Sequence, residues 1–112
     1  MPFTYSSDFW LQRARDVHHL AAQMSQPQAR EAMITTAWKY QLIHFRCVYH
    51  ESTLAFDRAK AALLNMPLDI GMTEKDALAA DLQIKRTAVD EARRALESHR
   101  KTIPGADICS VA

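Results

Sequence analysis

Glycine is nearly missing from this chain, with two in 112 residues, and proline is scarce, with four. That excludes the many tight turns of a β-sandwich, a Gly-rich loop cradling phosphate and a collagen-like repeat, so helices are the expected state. Cysteine is equally rare. Cys47 stands in an aromatic stretch and Cys109 near the end, contexts too unlike to imply a stabilising disulfide. Neither charge sign dominates: fourteen Lys+Arg against thirteen Asp+Glu leave a formal charge of +1. No global field therefore marks nucleic acid or an acidic membrane as partner. No apolar run approaches the roughly 20 residues of a membrane span, and Met1-Pro2-Phe3-Thr4-Tyr5 lacks the charged and apolar regions of a secretion signal. A cytoplasmic protein without membrane association is expected. What the chain does have is a composition, 48% hydrophobic and 24% charged at 12.7 kDa, that fits one compact domain.

The apolar pattern predicts three helices, over about 8–24, 27–64 and 74–102, in a single domain spanning 1–103. A flexible tail is expected over 104–112. In the first helix Trp10, Val17 and Met24 recur every seven residues with Ala14 and Ala21 between them, one stripe of a helix, and Asp8 is a plausible N-cap. Ser25-Gln26-Pro27-Gln28 reads as a restart: a hydroxyl cap, a proline in the first turn where its missing N–H does no harm, and a glutamine in the capping-box position. From Pro27 to Leu64 no further Gly or Pro occurs, which makes the second helix about 57 Å long if it is unbroken. The place where it could bend is His50-Glu51-Ser52-Thr53, through a hydroxyl bonding back to the main chain. Asn65-Met66-Pro67-Leu68-Asp69-Ile70-Gly71 is a connector. Thr73 with Asp76 offers a capping box for the third helix, and Pro104-Gly105 stops it.

On the third helix Leu82, Val89, Leu96 and Ile103 keep a strict seven-residue spacing, with Leu78 and Ala92 filling in, a coiled-coil-like seam. Its outer face carries the acid-before-base pairs Asp81/Lys85, Asp90/Arg94 and Glu97/Lys101, each worth about 0.2–0.5 kcal/mol. The second helix has two apolar sides. Met33, Tyr40, Cys47 and Leu54 drift along one, and Trp38, Leu42, Phe45, Tyr49, Phe56 and Leu63 lie roughly opposite. Two opposed stripes mean a helix between neighbours or facing a second subunit. The fold expected is therefore an all-α, three-helix antiparallel bundle around a long central helix.

A first helix about 25 Å long covers less than half of the central one. This predicts leftover aromatic surface and a homodimer, or an interface with a protein partner, through Trp38, Leu42, Phe45, Tyr49 and Phe56. The alternative is that the third helix takes this aromatic face and the first takes the Met33/Tyr40 face.

Trp10, Arg13-Ala14, Met24, Pro27, Ala29, Met33, Ala37 and Tyr40 follow a W-x-x-R-A, M-x-x-P-x-A, M, A-x-x-Y spacing. In this the first forty residues resemble a group of short alphaproteobacterial proteins that look like small helical hairpins and have no assigned activity. The resemblance implies a helical hairpin over about a third of the chain and lends no catalytic residues. After Tyr40, where that group typically continues with charged residues, this chain has Leu42-Ile43-His44-Phe45-Arg46-Cys47-Val48-Tyr49.

The most site-like cluster is His44, Cys47 and Glu51, which fall within about a 60° sector of the helix, with His50 outside it. Imidazole, thiolate and carboxylate could supply three ligands to Zn²⁺, as a metal-binding or thiol-sensing bundle would need, although the paired ligand spacing of a closed zinc site is missing. Buried Cys with mutually satisfied His and Glu is the ordinary alternative, and no cofactor is expected. His18-His19 should be exposed. No G-x-S-x-G elbow or Cys-His signature assembles a nucleophile, so an enzyme is not expected. Lys85-Arg86, Arg93-Arg94 and Arg100-Lys101 could meet phosphates, with Trp10 or Tyr5 stacking on bases, but interleaved Asp81, Asp90, Glu91 and Glu97 make a solvated face the better reading and nucleic acid an unlikely partner. The function expected is that of a small helical interaction or adaptor protein.

Overall fold

A computed structural model describes residues 5–102 of the chain. The protein is all-α: α1 spans Ser7–Ala22, α2 Pro27–Leu64 and α3 Met72–Arg100, with no strand among the described residues. Each helix starts and stops within two residues of the limits expected from the apolar pattern. The expected tail over 104–112, Cys109 and the last seam residue, Ile103, lie outside the described residues.

Helix ends differ from expectation in their chemistry. The residue before α1 is Ser6, in an extended conformation and making no side-chain cap bond, so Asp8 is not the N-cap but an acid of the first turn. There its charge favours the positive end of the helix dipole. Pro27 opens α2, and the Arg30 N–H donates to the Gln26 carbonyl at 3.0 Å, which puts the cap at Gln26 and not at Ser25. The chain between α1 and α2 is closed by the Arg30 guanidinium, whose Nε and Nη2 donate to the Met24 carbonyl, at 3.2 Å from Nε. Gly71 is the cap of α3, its carbonyl accepting from the Lys75 N–H at 3.0 Å, so the Thr73/Asp76 box falls inside the helix instead of at its start.

Across 50–53 α2 stays α-helical. The Thr53 hydroxyl does bond back to the Tyr49 carbonyl at 2.8 Å, yet without interrupting the helix. With no Gly or Pro inside it, the intact i→i−4 ladder outweighs one bifurcated carbonyl.

The chain divides into two compact units, each taking part of both long helices. In unit 1 (described residues 5–47 and 95–102), the core is Ala14, Val17 and Ala21 of α1, Ala37 and Cys47 of α2, and Leu96 and His99 of α3. Small residues line the α1–α2 contact, which lets the two backbones approach closely. Unit 2, Val48–Arg94, is the hairpin of the second half of α2, the connector and most of α3. Its connector turns through the Ile70 N–H donating to the Pro67 carbonyl at 3.2 Å. Of the expected seam, Ala92 and Leu96 are buried and Leu78, Leu82 and Val89 half-buried.

The outer face of α3 keeps Asp81–Lys85 at 3.7 Å. Asp90, however, pairs with Arg93 at 3.5 Å and not with Arg94, and among the described residues no ion pair joins Glu97 to Lys101. The second difference has a simple cause. Lys101 lies in the turn after α3 ends, where the i,i+4 geometry is lost.

Candidate interaction surface

The two apolar sides of α2 are each taken up within unit 1. On one side Trp10 stacks on Tyr40, ring centroids 5.8 Å apart and 24° from parallel, and the Arg13 guanidinium lies 5.6 Å from the centre of the same Tyr40 ring. Ala14 and Ala37 are buried beside them. The W-x-x-R-A and A-x-x-Y spacing is thus a physical contact set: an indole and a guanidinium one turn apart on α1, with the phenol ring they share on α2. The Trp10 indole N–H is buried and makes no hydrogen bond. Tyr5 and Phe9 extend the cluster, stacked at 4.1 Å, with Phe9 edge-on to Trp10 at 5.0 Å.

On the opposite side of α2 the partner is His99. Its imidazole stacks on Trp38 at 4.9 Å and 16°, and lies 5.0 Å from Phe45. The bonds are reciprocal. The Trp38 Nε1–H donates to the His99 carbonyl at 3.2 Å, and the His99 Nε2–H donates to the Trp38 carbonyl at 3.0 Å, which fixes the proton on Nε2. The Thr102 hydroxyl adds a third bond to the His99 carbonyl, at 2.7 Å, and so helps satisfy the carbonyls at the end of α3. His99 is the buried polar residue among those described.

The face assignment is therefore the alternative one, with α3 on the aromatic side and α1 on the Met33/Tyr40 side. Trp38, Leu42, Phe45, Tyr49 and Phe56 are all half-buried, and Trp38 and Phe45 are engaged by α3 of the same chain. The surplus aromatic surface on which a dimer through these five residues would rest is not present at Trp38 and Phe45. Sequence reasoning missed His99, although its position was marked: it stands seven residues after Ala92 and three after Leu96, a seam position of α3.

His44, Cys47, Glu51 and His50 meet different fates. His44 donates from Nδ1–H to the Ser7 carbonyl at 2.7 Å, tying the start of α1 to α2 and leaving Nε2 as its ligand atom. Cys47 is buried, while His50 and Glu51 are exposed. Among the described residues no three His, Cys, Asp or Glu side chains are placed to hold one metal ion. His18 and His19 are both exposed, and the Gln23 Nε2–H donates to the His19 Nε2 at 3.1 Å.

Tyr5, Phe9 and Leu20 are exposed in unit 1, but unit 2 leaves more aliphatic surface bare. Among the described residues its buried side chains are Ala59 and Ala92, both small. Leu64 is 74% exposed, Met72 71%, Ile84 65% and Leu68 fully so, with Leu54 exposed as well. Two helices alone can close only the line between them, and a hairpin becomes a core when a further layer covers it. On α3 a shallow depression is lined by Gln83, Ile84, Thr87, Ala88 and Glu91. No helix is long and apolar enough to cross a membrane among the described residues. Comparison with family models, with curated proteins and with solved structures finds no match to this chain.

Proposed function

We propose that this chain is a small helical interaction protein that acts by association, with a second copy of itself or with another helical protein, through the hairpin of unit 2. The observation that carries the reading is the contrast between the units. Unit 1 buries Val17, Cys47, Leu96 and His99 among alanines, half-buries Trp10, Trp38, Tyr40 and Phe45 and exposes Tyr5, Phe9 and Leu20. Unit 2 buries two alanines and exposes Leu54, Leu64, Leu68, Met72 and Ile84, none of them aromatic and three of them by over two-thirds. At about 25 cal/mol per Å² of apolar surface, covering such side chains is the strongest driving force available to this molecule. The role is that of a cytoplasmic adaptor and not of a catalyst. The interface shifts from the aromatic residues of α2, which serve the chain's own packing, to aliphatic ones.

Amide hydrogen exchange at low and high protein concentration tests the reading. Association through unit 2 slows exchange in 48–94 as concentration rises and leaves 7–47 unchanged. Slowing confined to unit 1 would remove the proposal, and none in either unit would remove association with a second copy.

A further inference from the structure

We infer that unit 2 is an order–disorder device built into the fold: in a single chain its hairpin opens as one cooperative segment while unit 1 stays folded, and the end of α3 stays behind, held to α2 by Trp38 and His99. This goes beyond the association reading and does not rest on it.

The first ground is unequal burial. Among the described residues unit 2 buries Ala59 and Ala92, and its larger seam residues Leu78, Leu82 and Val89 stay half-buried. Unit 1 buries Val17, Cys47, Leu96 and His99. Full burial of a side chain the size of valine or leucine shifts an equilibrium about 10- to 100-fold, so a segment that fully buries none of them opens at lower cost.

The second ground is the reach of the polar contacts. In unit 1, His44 of α2 bonds to the Ser7 carbonyl of α1 at 2.7 Å, and Trp38 and His99 join α2 to α3 by reciprocal bonds at 3.2 Å and 3.0 Å. In unit 2 the Thr53 and Thr87 hydroxyls bond back to carbonyls four residues earlier, and Asp81–Lys85 and Asp90–Arg93 pair within one turn of α3. Contacts of that kind support a single helix and do nothing to keep it beside its neighbour.

The third ground is the border inside α3. Neither Gly nor Pro marks it, since α3 runs unbroken from Met72 to Arg100. What changes is the helix's partners. Beyond Arg94, Leu96 is buried, and the His99 imidazole stacks on Trp38 at 4.9 Å and lies 5.0 Å from Phe45. Opening that spreads from the connector therefore stops where α3 gains rings and long-range bonds to hold it.

Native-state hydrogen exchange of the full chain tests this, at low micromolar concentration and across urea concentrations below the unfolding midpoint, read residue by residue by mass spectrometry with fragmentation. The amides of 48–51 donate to carbonyls of 44–47, so the helical amides between 52 and 94 report on unit 2. They should exchange through one shared opening, about 100-fold more populated than the one that exposes Ala37 and Cys47. The His99 amide, whose acceptor is the Ala95 carbonyl, should exchange with unit 1.

Val17→Ala is the decisive variant. It removes buried methyl groups from unit 1 and so favours only openings that expose residue 17. The amides of Ala37, Cys47 and His99 should exchange about tenfold faster, and those of unit 2 at the wild-type rate. Leu82→Ala, in the hairpin seam, should speed all the unit 2 amides by one common factor. A single opening free energy shared by both units, or equal acceleration of both by Val17→Ala, would overturn the proposal. So would a His99 amide that exchanges with the hairpin, or unit 2 amides that respond to Leu82→Ala each by a different factor. Rates in unit 2 that do not change with protein concentration would remove self-association and leave this device standing.

Discussion

The Trp38–His99 pair is the sharpest place to test how α3 is held to α2. Its coupling is measurable as a double-mutant cycle of Trp38→Phe, His99→Phe and the double variant. Each single change keeps a ring in place and removes one of the two reciprocal bonds, to the His99 carbonyl at 3.2 Å and to the Trp38 carbonyl at 3.0 Å. Each bond is worth about 0.5–1.5 kcal/mol net, and the stacked rings about 0.5–1.5 kcal/mol. The carbonyls are not orphaned by these changes, since the His99 oxygen keeps the Thr102 hydroxyl and the Trp38 oxygen lies within α2. Each single variant is therefore expected to cost about 1 kcal/mol. His99→Ala, which also removes the ring from between Trp38 and Phe45, should cost about 3 kcal/mol, as truncations of buried rings do. Urea unfolding followed by circular dichroism reads these costs. A loss under about 0.5 kcal/mol for His99→Ala would mean that the end of α3 does not pack where the stacking geometry puts it.

Other outcomes follow from named contacts. Leu96→Asp should unfold unit 1, a cost above about 4 kcal/mol, because it buries an unpaired carboxylate in the seam, and loss of cooperative thermal unfolding reads it. Glu97→Ala should cost less than about 0.5 kcal/mol in the same assay, since no ion pair to Lys101 is lost. Gly71→Ser should raise stability by about 0.3 kcal/mol: nothing lies within 4 Å of an added Cβ, and a serine there completes a capping box with Glu74. Arg30→Ala should cost about 1 kcal/mol by releasing the Met24 carbonyl, again by urea unfolding.

The helices were legible because their limits depend on local chemistry. Pro27 and Gly71 sit at helix starts, and between them and the connector nothing interrupts the pattern, so α2 could be drawn from Pro27 to Leu64. The capping residues were less legible. Ser25 and Gln26, like Gly71 and Thr73, differ by one or two positions, a shift that depends on backbone geometry and not on residue type. The assignment of faces was harder still, because both sides of α2 are apolar and periodicity cannot say which neighbour takes which. That choice turned on His99, a polar residue at a seam position whose two hydrogen bonds run to a helix 61 residues away in sequence. Aromatic composition pointed to Trp38 and Phe45 as an outward surface. Pairing with α3 half-buries them, and the large apolar residues that unit 2 leaves exposed are aliphatic: Leu54 on α2, Leu64 and Met72 flanking the connector, Leu68 within it, and Ile84 on the α3 flank.

The central claim is association through unit 2, and the molar mass of the purified chain across concentration tests it most directly. Light scattering after size exclusion should give about twice the 12.7 kDa chain mass at high micromolar concentration and fall toward one chain on dilution or with Ile84→Glu. A mass of one chain that persists at high micromolar concentration would contradict association with a second copy.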